Sequence, residues 1–136
     1  MIDRLYRASQ QGAEIDLIVR NICCLRPGIE DLSERIRVRS IVGPYLEHSR
    51  IYRFGDPGKD ATYLIGSADL MPRNLEERVE ALVPVEDPAI RTHLDLILDL
   101  CMRDNQLSWQ LNYDGTWHPA RPRQPARGFA SVPTAH

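Results

Sequence analysis

The sequence predicts an α/β or α+β fold rather than an all-helical one. Three observations carry this. A short amphipathic segment is followed at once by a compact apolar run with β-branched residues, Ile15 to Val19. The stretch from Arg35 to Val42 alternates, with Arg35, Arg37 and Arg39 on one face and Ile36, Val38 and Ser40 on the other. A sustained apolar stripe at helical spacing comes only late, at Ile90, Leu94, Ile97, Leu98 and Cys101.

Each element has its own local reason. Ile2, Leu5, Tyr6 and Ser9 follow helical spacing, and Gly12 closes a helix over residues 2–11. Arg26-Pro27-Gly28 is a turn signal. Arg50 to Phe54 and Thr62 to Ser67 read as two strands joined by the turn-forming loop Gly55 to Asp60. A third strand is expected at Val79 to Val83, ended by Pro84. Asp87-Pro88 starts a helix, with Asp as cap and Pro at the first position, running to about Arg103. Trp109 to Leu111, the Asp114-Gly115 turn and Trp117 suggest a final small hairpin. One domain is expected over 1–118. Residues 119–136, rich in Pro, Arg and Ala, read as a disordered tail.

Bulk composition narrows the class. The chain has 136 residues, 43% hydrophobic and 26% charged, as befits one soluble globular domain. No apolar run reaches the roughly 18 residues of a membrane span, so no transmembrane segment is expected. Met1-Ile2-Asp3-Arg4 does not read as a signal peptide. Cys23, Cys24 and Cys101 make a poor disulfide framework and lack zinc spacing. They are expected to be small buried thiols in a reducing compartment, and the chain to be cytoplasmic. Lys59 is the only lysine among 17 basic residues. Arginine suits phosphate oxygens and keeps its charge when partly desolvated, although arginine-biased codon use also produces such a ratio.

The arginine face of Arg35, Arg37 and Arg39 would place successive guanidiniums roughly 6–7 Å apart, a spacing that can track a chain of phosphates. The plainer explanation is a solvated strand face paired with Asp31, Glu34 or Glu47. His48 and Arg50 are two apart at a strand start, so an extended chain points both to one face. An imidazole beside a guanidinium is an unusual core filling. It is a sensible phosphoryl clamp, with the arginine taking charge and the imidazole exchanging a proton. The next strand ends in Gly66-Ser67-Ala68-Asp69, followed by Arg73 and Asn74. Small residues there admit a ligand closely, yet a Gly-Ser pair alone is a commonplace turn. Asp69 either orients His48 or Arg73, or caps a turn. His93, His118 and His136 belong to no such constellation.

His-x-basic followed by Gly-Ser is similar to the phospholipase D superfamily signature, which has lysine where this chain has Arg50. A closer resemblance is to the carboxy-terminal domain of polyphosphate kinases. It is carried by Ile15 to Arg20, Ile22 to Gly28, Ile36 to Gly43, Leu46 to Tyr52, Gly66 to Leu75 and Arg78 to Glu80. These blocks span most of residues 2 to about 118.

The resemblance implies an α/β, phospholipase-D-like domain with a mixed β-sheet flanked by helices. It implies part of an enzyme that reversibly moves the terminal phosphate of ATP onto inorganic polyphosphate, with magnesium, through a phosphohistidine. Two phospholipase-D-like domains face each other in that family, and the histidine that is phosphorylated lies in the earlier one. His48 matches the histidine of the later domain, which assists transfer as acid or base. Arg20 and His48 match ATP contacts. Arg50, Ser67 and Asn74 are expected supporting donors, and Arg37, Arg39 and Arg73 candidate polyphosphate contacts. No metal ligand is expected within this chain. The magnesium-holding arginines and the earlier domains have no counterpart here, so the chain alone is expected to show little or no turnover.

Expected partners are polyphosphate, ATP or ADP, and either the upstream domains or further copies of the chain; nucleic acid is not one. Asn21 stands where the family has glycine, Pro44 where a basic residue is expected, and Leu70 where tryptophan is frequent. Two rivals remain: a non-catalytic polyanion-binding module working through Arg37 and Arg39, and a homodimeric phosphodiesterase pairing two His-x-Arg motifs.

Overall fold

A computed structural model describes residues 1–20, 22–43 and 48–120. Helix α1, Ile2–Gln10, is closed by Gly12, whose φ of 96° is the left-handed backbone glycine adopts freely. Strands β1, Ile15–Ile18, and β2, Ile36–Ile41, are parallel, with Leu17 beside Val38. A hairpin formed by β6, Ser108–Leu111, and β7, Trp117–Pro119, adds antiparallel to β2. The result is a mixed four-stranded sheet in the order β1-β2-β6-β7. Between its halves the chain builds a second, antiparallel sheet in the order β3-β4-β5, from Arg50–Phe54, Thr62–Gly66 and Leu82–Pro84. Helix α2, Pro88–Arg103, leads back to β6.

The expected α/β class holds, with its strands divided between two sheets. β2 lies between β1 and β6, while β3, β4 and β5 pair with one another. Each sheet carries a separate core. Alternation on β2 turns Ile36 and Val38 inward to meet Leu25 and Leu111, with Ile2, Leu5 and Tyr6 of α1 packed alongside. On the second sheet Ala61, Tyr63 and Val85 pack with Leu94 of α2.

Three boundaries differ from expectation. The third strand of the second sheet begins at Leu82, because Val79 is fully exposed and Glu80 turns back toward the preceding loop. Pro84 lies inside that strand, which an edge position permits. At the far end β7 includes Pro119, and the backbone N–H of Ala120, a buried residue, donates to the Ser108 carbonyl. Sheet pairing thus claims two residues assigned to the tail; 121–136 lie outside the described residues. The cysteines are not all buried. Cys24 is exposed and Cys23 half-buried, since neighbours in extended chain face opposite ways. Among the described residues no helix is long and apolar enough to cross a membrane.

Helix α2 starts as its sequence requires: the Asp87 carboxylate accepts from the backbone N–H groups of Ala89 and Ile90 at 2.8 and 3.0 Å. Its attachment to the sheet is polar as well as apolar. The Tyr63 hydroxyl donates to the Asp95 carboxylate at 2.8 Å, and Arg53 donates to it at 2.9 Å. The Arg91 guanidinium lies 5.7 Å from the Tyr63 ring centroid. Tyr63 is 3% exposed, and burial together with the Asp95 carboxylate pushes its phenol pKa upward. Tyr63→Phe removes a bond to a charged acceptor while leaving the ring in place. It is expected to destabilise the fold by about 1–3 kcal/mol, read as a lowered urea midpoint at unchanged slope.

Candidate functional site

The antiparallel register of the second sheet assembles the site. Arg50 at the start of β3 lies directly opposite Gly66 at the end of β4. His48 and Arg50 therefore share one end of the hairpin with Gly66 and Ser67. The distance in sequence between the two motifs is closed by one turn, Gly55 to Asp60. His48 is exposed. The Arg50 guanidinium donates to the Asp69 carboxylate and, at 3.1 Å, to the Ser49 carbonyl. Asp69 thus pairs with Arg50, a partner the sequence did not single out for it. The Tyr52 hydroxyl donates to the Ala68 carbonyl and pins the same loop to β3.

The small residue at position 66 is required by packing. A Cβ on Gly66 would lie 2.1 Å from the Ala81 carbonyl oxygen, so any side chain would force the strands apart. Beyond Gly66, one carboxylate organises the loop. Glu80 accepts from the Ser67 hydroxyl at 2.5 Å and from the Asn74 side-chain amide at 2.8 Å. Asn74 lies within a proline-led π-helical turn, Arg73–Glu77, and is 5% exposed. Its Oδ1 is buried without a partner among the described residues. Ser67 and Asn74 meet at one carboxylate, with their side-chain donors directed to Glu80. Nothing in the sequence pattern singled out Glu80; a carboxylate beside a strand in a matched block was the only signal. The Arg73 side chain, Asn21, Pro44 and Glu47 lie outside what the structure describes.

The arginine face is also engaged, with partners other than those expected from neighbouring sequence. Arg37 grips Asp16, its partner across the parallel strands, with two bonds of 2.7 and 2.9 Å. Arg35 pairs with Glu14 at 2.9 Å, and Arg39 donates to the Asp104 carbonyl at 2.7 Å. Parallel pairing brings Glu14 and Asp16 to these side chains. Arg20 follows the end of β1 and lines a cavity with Ile22, Ser40, Val42, Trp109 and Trp117. Among the described residues no three His, Cys, Asp or Glu side chains converge as a metal site.

The Ser67 hydroxyl, and after it the Asn74 amide, hold the Glu80 carboxyl below its ordinary value of 4.5. The sign follows: a depressed carboxylate stabilises the loop above the unfolded pKa, and that contribution is lost as pH falls through the folded one. Ser67→Ala should therefore raise the Glu80 pKa, and by more than Asn74→Ala does. A carboxyl-carbon NMR titration reads both; an unmoved Glu80 pKa would count against the clasp.

Comparisons with known proteins agree with one another. A family model described as "Polyphosphate kinase C-terminal domain 2" matches residues 1–130, past the boundary expected at 118. The chain is 55% identical over 130 residues to the polyphosphate kinase of Thermosynechococcus vestitus, covering 96% of this chain and 17% of that protein. It is 53% identical over 131 residues to that of Synechocystis, covering 96% of this chain and 18% of the relative. The crystal structure of polyphosphate kinase from Porphyromonas gingivalis superposes with a TM-score of 0.84 at 44% identity, over 93% of this chain and 19% of that one. The chain thus spans under a fifth of the length of these relatives.

Proposed function

This chain belongs to the polyphosphate kinase C-terminal domain 2 family, and from that premise we propose that it supplies one side of an ATP:polyphosphate phosphotransferase site. The carrying observation is the pairing of Arg50 with Gly66, which sets His-x-Arg beside Gly-Ser. Phosphoryl transfer asks a protein mainly for positioning and for stabilisation of charge. His48, exposed at the head of β3, is the acid or base that exchanges a proton with the transferring group. Arg50 stabilises charge on the phosphoryl oxygens, with Asp69 fixing the direction of its guanidinium. Ser67 and Asn74 act by shaping the loop through Glu80 rather than by donating to phosphate.

Arg20 contacts ATP from the end of β1, and the reaction is cytoplasmic, where ATP and ADP are supplied. Polyphosphate contacts through Arg37, Arg39 and Arg73 are the outer part of the proposal. The protein partners of Arg37 and Arg39 weigh against a module built solely for polyanion binding on that face. Magnesium accompanies nucleotide phosphoryl chemistry, but the described residues offer no acidic cluster to hold it, so no step here runs through it.

The test is ATP formation from ADP and polyphosphate, with the remaining domains of a family member added in trans. Activity should appear on mixing and fall by about 10²–10⁴ in His48→Ala, the range for loss of a general acid or base. Undiminished activity in that variant would overturn the role given to His48.

A further inference from the structure

Helix α2 turns two leucines outward. Leu94, buried in the second core, sets the inward direction, and Leu96 and Leu100 stand on the opposite face one turn apart. They are 54% and 59% exposed, and Leu107, just past the helix, is 48% exposed. The same end of α2 is acidic. Asp99 lies in its last turns and Asp104 caps it, where unpaired carbonyls add partial negative charge. Asp99 pairs with Arg103 at 2.8 Å, a surface pair of the kind that contributes little. Asp104 accepts from the backbone N–H groups of Gln106 and Leu107.

The chain returns to this place as it leaves β7. The Ala120 N–H donates to the Ser108 carbonyl at 2.8 Å, and the Ser108 hydroxyl donates to the Asp104 carbonyl. Two hydrogen bonds thus tie residue 120 to the end of α2. Residues 121–136 carry Arg121, Arg123 and Arg127, no acidic residue, and a single phenylalanine, Phe129. The net charge of −2 divides into +3 on this segment and −5 on residues 1–120. The family match runs on to residue 130, one past Phe129. The stretch from Ala120 to Phe129 reaches up to about 30 Å when extended, and Leu96 stands only about 10 Å along the helix from Arg103. We propose that residues 121–130 lie along the outer face of α2, with Phe129 packed on Leu96 and Leu100 and the arginines beside Asp99 and Asp104. So short a tether holds the segment at high effective concentration, and modest contacts suffice. The helix that braces Tyr63 from within is thereby covered from outside. The proposal stands independently of the phosphotransferase reading.

The sequence contains two phenylalanines, Phe54 and Phe129, so selective isotope labelling separates their rings by NMR. In the 136-residue chain the Phe129 ring should give nuclear Overhauser contacts to the Leu96 and Leu100 methyls. Phe129→Ala identifies the ring by its loss. That variant should keep the wild-type circular dichroism and speed amide hydrogen exchange in the last turns of α2 about tenfold. Replacing the three arginines by glutamine should produce part of the same increase, as should raised salt. Absence of the contacts, or their appearance only between differently labelled chains, overturns the proposal; the second result gives the face to another copy. Unchanged exchange in Phe129→Ala overturns it as well.

Discussion

One carboxylate, Glu80, holds the candidate site in shape. By accepting from Ser67 and Asn74 it joins the end of β4 to the π-helical turn and to the start of β5. The close approach of Gly66 to the Ala81 carbonyl is the neighbouring consequence, since residue 81 directly follows the clasp. With the loop so held, the Ala68 carbonyl meets Tyr52 and the Asp69 carboxylate meets Arg50. Each of these groups would face competition from water if the loop were loose. A phosphoryl-transfer site gains from this arrangement, because stabilisation by donors fixed in advance costs no reorganisation during reaction.

The arginines divide into two kinds by their surroundings. Arg35 and Arg37 sit on exposed strand with acidic residues of the adjoining chain, and such surface pairs contribute little stability. Their value is in setting the register of two parallel strands, since Arg37 meets the residue directly across from it. Arg50 is more enclosed and has a single carboxylate to orient it. Arginine abundance alone therefore says little about phosphate binding; the neighbour decides whether a guanidinium is a strut or a probe.

Two small cores, rather than one large one, have a further consequence. One helix packs into each core, α1 through Ile2, Leu5 and Tyr6 and α2 through Leu94 and Ile97. Large apolar side chains stay exposed outside both cores, among them Trp109 and, on α2, Leu96 and Leu100. Trp109 lines one open groove together with Trp117 and Arg20.

Local chemistry was legible in the sequence wherever a single segment decides its own state. The cap at Asp87, the alternation of β2, the stop at Gly12 and the hairpin residues all acted as their side chains require, within a residue or two. The nearness of Arg50 to Gly66 was legible too, since it depends only on one antiparallel hairpin. What the sequence did not contain was pairing between distant segments. Parallel pairing of β1 with β2 chose Asp16 and Glu14 as arginine partners, where sequence neighbours had been expected. Division into two sheets is likewise a matter of which distant strands pair. The Glu80 clasp and the placing of both tryptophans beside Arg20 arise only when separate strands meet, because hydrogen bonds and cavities are properties of surfaces brought together and not of residue order.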